Sequence, residues 1–390
     1  MTGLYPHNTG AGELHLPLPA EKELVTTPLR KAGYWTAAVG KWHLGEAVAN
    51  QVDYRQGSRP EKMGDAWETA LRNRPMDKPF FLWAAHSDPH RAYKPGAVEP
   101  PHAPESAIVP EFLPDTPIVR KDLALYYDEV SRFDQHVGQA LEVLREQDAI
   151  DNTVVIVMSD NGRPFPHCKT RVTVPGVRTP FVISWPEKIQ KGEQVSSVVS
   201  SVDLAPTVLS LAGLEPSEAM QGVNFASTIR GNRDRTRLYA FAEHNWHDYR
   251  AFERGVHSKK YCYVRNWLPG TPGTPPADAV KSITYDEMKR LLAVGELTPE
   301  QAECFLSPRE EEFLFDVEAD PNCVHNLVDA ASKDEQLAKE LSRLRDALAR
   351  WQKATDDHFR GEEQLTPDGF DRNSGDRIIS ASHPSKVKKP

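Results

Sequence analysis

The chain has 390 residues, 39% of them apolar and 26% charged, the balance of an ordinary globular protein with room for one large domain and a smaller one. Its 47 basic and 56 acidic side chains leave a net charge of −9, which argues against nucleic acid as the main partner and requires any anionic ligand to find a local positive pocket. No apolar run is long enough to span a bilayer, and the four cysteines, Cys168, Cys262, Cys304 and Cys323, share no CxxC or short pairing framework and read as structural thiols.

The first residues, "MTGLYPHNTG", carry neither the basic nor the apolar region of a secretion signal. "WTAAVG" from Trp35 is the first short buried strand, broken by Gly40, and "FFLWAAH" from Phe80 is the second. Leu125, Val130, Phe133, Val137, Leu141 and Leu144 then recur at helical spacing, predicting an amphipathic helix that feeds a third strand, "TVVIVMSDNG" from Thr153. "FVISWP" from Phe181 is a fourth. In "SSVDLAPTVLSLAG" a helix opens with Asp203 as its cap, tolerates Pro206 in its first turn and stops at Gly213. This alternation predicts an α/β fold with a mostly parallel central sheet flanked by helices.

After about Arg230 the texture changes. "RTRLYAFAEHNW", "KKYCYVRNW" and "EEFLFDVEADPNCVHNL" are strand-like, "GTPGTPP" is a loop, and Leu337, Leu341, Leu344 and Leu348 line one face of a helix from about Lys333 to Trp351. The expected division is a larger α/β domain over residues 1–235, a smaller antiparallel-sheet-plus-helix subdomain over 236–357, and a polar, poorly ordered tail over 358–390. There is no internal repeat.

Ligands collect at the carboxyl ends of strands in α/β sheets, and three of the four strands end in polar groups. The first ends in Lys41 and His43, a cation and an imidazole two residues apart, a poor way to build a core and a reasonable way to hold an anion. The second runs into "HSDPHRAY", offering His86, Asp88, His90 and Arg91; His86 reads as a structural histidine, whereas His90 is a candidate for chemistry. The third runs into "SDNGRPFPHCKTR", where Asp160 and Asn161 are hard oxygen donors suited to calcium or magnesium, and Lys169 follows nine residues after Asp160. "AEHNWHDYRAF", with His244 and His247, is where substrate contacts from the smaller subdomain are expected.

"GYWTAAVGKWHLGE" resembles a signature of the sulfatase family, and "DPHR", "SDNGRPFPHCK", "GVRTPFVISWP", "SSVDLAPTVLSLAG" and "EEFLFDVEADP" follow in that family's order, most like its heparan N-sulfatase branch. The resemblance runs from Met1 to about Asp357. It implies an alkaline-phosphatase-like fold and hydrolysis of a sulfate ester or sulfamate, on a sulfated carbohydrate or related substrate, at a calcium-bound formylglycine. Asp160 and Asn161 then match calcium ligands. Lys41 and His43 match the pair that contacts sulfate and formylglycine, His90 the proton donor to the leaving group, and Lys169 a grip on sulfate oxygens; Arg91 and His247 are expected substrate contacts. Family members are usually exported, periplasmic or lysosomal.

The family's Cys-x-Pro-Ser-Arg-type motif, source of the formylglycine, and its paired aspartates would lie just before "MTGLYPHN". None of the four cysteines stands in such a motif. The chain therefore reads as N-terminally truncated, inactive or nearly so, weak in calcium binding, and left with an apolar slot and exposed strand edges in its sheet. Two other readings stand beside a sulfatase: a phosphate-ester hydrolase of the same superfamily, and a non-catalytic fragment that binds sulfated glycans.

Overall fold

The computed structural model describes residues 1–14, 16–189, 191–231 and 236–359, together with the backbone of the two-residue strands Phe370–Asp371 and Asp376–Arg377. Most of the expected polar tail, 358–390, lies outside the described residues.

The first predicted strand, β1 (Trp35–Gly40), lies between β2 (Tyr54–Gln56) and β3 (Phe80–Ala85) and is parallel to both. Thr36, Ala37, Ala38 and Val39 are all buried, the continuous burial expected of a parallel strand covered on both faces. The helix Met63–Arg72 covers one face, with Met63, Ala66, Trp67 and Ala70 packed around Val39, and Phe133, Val137 and Ala140 of the long helix Pro117–Glu146 join the cluster. Thr116 caps that long helix by accepting the Val119 amide.

The long helix follows the expected apolar stripe at Phe133, Val137 and Leu144 and departs from it elsewhere. Val130 is exposed, and the buried positions include Asp122, Asp128 and Glu129. Each carboxylate has a cation or imidazole brought from the loop after β3 or from its own helix: Asp122 meets Arg91, Asp128 meets His102, and Glu129 shares Arg132 with Asp88. Hydrophobic periodicity fails where burial is of paired charge rather than of hydrocarbon.

The expectation of a mostly parallel central sheet needs correction. β4 (Val155–Met158) does not pair with β3; it pairs antiparallel with β5 (Phe181–Ser184), Met158 opposite Phe181. A parallel neighbour requires a crossover that carries the chain back to the starting end of the strand. The connection from Ser159 to Pro180 instead holds one short helix, Val174–Val177, and returns beside the end it left. Gly162 lies against Pro175, where a Cβ would stand 2.0 Å from the carbonyl oxygen. All four residues of β4 remain partly exposed.

The helix after "SSVD" is capped differently from expectation. Ser200 and Asp203 form a reciprocal capping box, Asp203 accepting the Ser200 amide at 2.8 Å, before the helix Leu204–Leu211.

The smaller antiparallel sheet is present as β6 (Ala240–His244), β7 (Glu253–His257), β8 (Tyr261–Asn266) and β9 (Glu312–Asp316), in that order. The helix Glu335–Thr355 lays Leu341, Leu344, Leu348 and Trp351 against Val256, Tyr263 and Leu314. A fully buried leucine such as Leu344 contributes on the order of 2 kcal/mol. β7 shows no apolar alternation in the sequence because its first residues, Glu253 and Arg254, are charged and yet buried. Arg254 forks onto Asp357 at 2.7 Å through both Nε and Nη2, and Glu253 meets Arg309 at 2.5 Å. No helix among the described residues is long and apolar enough to cross a membrane.

Candidate functional site

The parallel pairing of β1 with β3 sets Gly40 opposite Ala85, so both strands deliver their next residues to one edge. Gly40 has φ 106°, and a Cβ there would fall 1.8 Å from the Ala85 carbonyl oxygen, so only glycine permits this approach. Lys41 follows directly, its amide donating to the same Ala85 oxygen at 3.1 Å. Its Nζ lies 3.6 Å from Asp160 Oδ2 at the end of β4, which brings the first and third predicted strand ends together. The Lys41 side chain is 29% exposed and that of Asp160 72% exposed. Trp42 stands beside them with its indole N–H donating to the Gly45 carbonyl at 2.7 Å. His43 is exposed, with φ 35°.

Asn161 is half-buried and turned into its own loop: its Nδ2 donates to the Gly162 carbonyl at 2.7 Å, and its carbonyl accepts the Ser159 hydroxyl. Asp160 and Asn161 thus offer two oxygen donors of the type calcium takes, against the six to eight that calcium needs. Among the described residues, the His/Cys/Asp/Glu group whose ligand atoms lie within 4.8 Å of one another is a different one, His7, Glu243 and Asp357. It is already closed by Arg254 and by the His7–Glu243 contact at 3.1 Å. The side chains around Asp160 therefore fall short of a calcium site.

The loop after β3 separates structural from candidate residues. His86 is buried; its Nδ1 accepts the Asp88 amide at 2.8 Å and its Nε2 faces His136 Nδ1 at 2.9 Å. Burial pushes its pKa down to about 4. Arg91 also turns inward. Its guanidinium forks onto Asp122 at 2.9 and 2.7 Å, donates to the Pro164 carbonyl, and lies 4.5 and 4.4 Å from the rings of Tyr93 and Phe165. It is committed to an interior ion pair, its side chain 6% exposed.

His90 stays at the surface, 45% exposed. Its Nδ1 lies 2.5 Å from the Arg91 carbonyl oxygen and its Nε2 lies 3.4 Å from Asp278 Oδ2. Lys169 reaches the same oxygen at 2.9 Å. Both expected groups, one after β3 and one after β4, thus converge on a carboxylate that carried no signal in the sequence. Asp278 sits in the helix Ala277–Val280, just after the Pro/Gly loop.

His247 has its Nδ1 3.2 Å from Asp248. It lines a polar cleft with Thr170, Arg171, His244, Arg250 and Arg309. Under the cleft Arg171 and Arg309 alternate with Glu253 and Glu303 at 2.5 to 3.8 Å. Burial would raise the Glu303 carboxyl, yet the two guanidiniums hold it well below the usual carboxylate range. Burial pushes His244 down to about 3. Thr170 joins the cleft to Lys169, and Asp248 accepts the Ala277 amide at 2.7 Å beside Asp278. Arg171, Glu253, Glu303 and Arg309 carried no signal in the sequence, because Arg171 meets Glu303 across 132 residues and Arg309 meets Glu253 across 56.

None of the four cysteines reaches these residues as a free surface group; all are buried. Burial pushes the Cys168 and Cys304 thiols up to about 12.

The sulfatase family profile matches residues 1–214, and a profile described as N-sulphoglucosamine sulphohydrolase, C-terminal, matches residues 169–269. The chain is 28% identical to human N-sulphoglucosamine sulphohydrolase, over 95% of this chain and 81% of that protein. It is 27% identical to an ulvan-active sulfatase of Formosa agariphila, over 91% of this chain and 66% of the relative. The fold is similar to a protein solved in complex with its substrate D-glucosamine-2-N,6-O-disulfate, with TM-score 0.66 and 17% identity over 93% of this chain and 88% of the other. A 2-O GAG sulfatase aligns with TM-score 0.66 and 16% identity, covering 93% and 82% of the two chains.

Proposed function

The chain belongs to the sulfatase family, and from that premise we propose that it recognises the sulfate group of a sulfated carbohydrate and carries the cation and imidazole machinery of a sulfuric ester or sulfamate hydrolase. What carries the reading is the convergence of His90 and Lys169 on one oxygen, at 3.4 and 2.9 Å, beside the cleft that holds His247. Lys41 and Lys169 hold the charge on the sulfate oxygens by preorganised electrostatics. His90, facing the site through Nε2, gives a proton to the sugar oxygen or nitrogen as its bond to sulfur breaks. We assign exposed His43, two residues after Lys41, to the sulfate and His247 to the sugar ring.

The calcium and formylglycine that the family implies are not supplied in full by these residues. Asp160 and Asn161 would give two oxygens to the ion, and when bound it would neutralise sulfate charge. Every cysteine of the chain is buried outside a Cys-x-Pro-Ser-Arg context. We therefore propose that the 390 residues as they stand bind a sulfated sugar without turning it over. A non-catalytic glycan-binding role rests on the same cysteines.

The test combines calorimetric titration with N-sulfoglucosamine and a turnover assay with a chromogenic aryl sulfate. Binding should weaken by about tenfold or more in Lys41→Ala, with no turnover in either protein. Robust turnover by the 390-residue chain would refute the missing-nucleophile argument, and undiminished binding in Lys41→Ala would refute the placement of the anion.

A further inference from the structure

We propose that Asp278 is a specificity-determining residue that sets the charge the anion seat accepts, favouring a singly charged sulfate ester or sulfamate over doubly charged inorganic sulfate and phosphate. This rests on the functional reading above. Asp278 is held rigidly: its Oδ1 accepts the Ala279 amide at 3.0 Å, and Asp248 fixes the start of the same short helix through the Ala277 amide at 2.7 Å. Its Oδ2 meets Lys169 at 2.9 Å and His90 at 3.4 Å. The Lys169 and Asp278 side chains are 11% and 15% exposed, so water screens the pair poorly.

A fixed carboxylate at this place cancels the Lys169 charge before any ligand arrives. Attraction to Lys169 and repulsion by Asp278 both double when the ligand carries two charges, so Asp278 withholds from a dianion twice the attraction that it withholds from a monoanion. A sulfate monoester or sulfamate carries one negative charge at neutral pH; inorganic sulfate carries two, and phosphate nearly two. The carboxylate therefore penalises the free sulfate product and phosphate compounds relative to a sulfated sugar. A residue that served only to hold the loop together would affect both classes of anion alike.

The test is calorimetric titration of the 390-residue protein and its Asp278→Asn variant with methyl sulfate, N-sulfoglucosamine, inorganic sulfate and inorganic phosphate at pH 7.5. Asparagine keeps the size of the side chain and the acceptor for the Ala279 amide but removes the charge. Inorganic sulfate and phosphate should bind about tenfold more tightly to Asp278→Asn, with a smaller change for the two monoanions, and Lys169→Met added to Asp278→Asn should abolish the gain. Equal shifts for both classes, or weaker binding of all four anions to a variant that melts like the parent, would overturn the role of Asp278 alone. No binding of any anion by parent or variant would overturn the anion seat itself, and the functional reading with it.

Discussion

Arg91 offers the sharpest separation between a ligand contact and a structural ion pair. Its guanidinium holds Asp122 through two hydrogen bonds at 2.9 and 2.7 Å, and Asp122 also accepts the Thr284 hydroxyl at 2.6 Å. Both side chains are almost fully buried. Arg91→Ala leaves a buried carboxylate with one hydroxyl for company, a change that costs about 3–5 kcal/mol. Loss of the rings of Tyr93 and Phe165 as cation partners adds to this by about 0.5–2 kcal/mol. Urea unfolding followed by tryptophan fluorescence should show the midpoint falling in Arg91→Ala, and falling to a similar degree in Asp122→Ala, where the guanidinium is left unpaired. The double variant Arg91→Leu/Asp122→Leu should recover most of the loss, because it removes both charges and refills the space with hydrocarbon. An Arg91→Ala protein with an unchanged unfolding midpoint and lost binding of N-sulfoglucosamine would refute the reasoning and return Arg91 to the ligand.

Three further outcomes follow from the same structure. Buried His86 stays neutral down to about pH 4, whereas an unfolded histidine takes its proton near pH 6.5. The unfolded chain therefore binds the extra proton between those values, and stability should fall by up to about 3 kcal/mol as pH drops through that window; unfolding midpoints at pH 7.5, 6 and 5 that hold level would contradict this. Gly40→Ala places a methyl group 1.8 Å from the Ala85 carbonyl oxygen at φ 106°, so a loss of about 1–3 kcal/mol is expected, together with weakened sugar binding through displaced Lys41; an unperturbed melting curve would show that the strand end yields easily. Titration with calcium chloride should give a dissociation constant weaker than about 10⁻³ M from Asp160 and Asn161 alone, and micromolar binding would mean that other oxygens complete the site.

The strands β1, β3, β4 and β5, the long helix and the antiparallel sheet with its covering helix were legible because backbone periodicity and turn residues act over a few positions. The inward side of the long helix was legible only in part: Phe133, Val137 and Leu144 pack inward as their spacing predicts, whereas Asp122, Asp128 and Glu129 are buried against partners that no local pattern announces. β7 was lost for the same reason, its Glu253 and Arg254 being neutralised by Arg309 and Asp357. The direction of β5 depended on how the chain between Ser159 and Pro180 folds back, and an apolar run says nothing of that.

The residue types at the strand ends, Lys41 and His43, His90, and Asp160 with Lys169, could be picked out from the amino-acid order alone, because charge and imidazole placed straight after a buried strand have no place in a core. Only the tertiary structure turned Arg91 inward to Asp122 and brought Asp278, 109 residues distant, to within 2.9 Å of Lys169. The difference is physical: a strand or helix is dictated by neighbours along the backbone, whereas the partner of a desolvated charge is chosen by whichever opposite charge the completed fold leaves within reach.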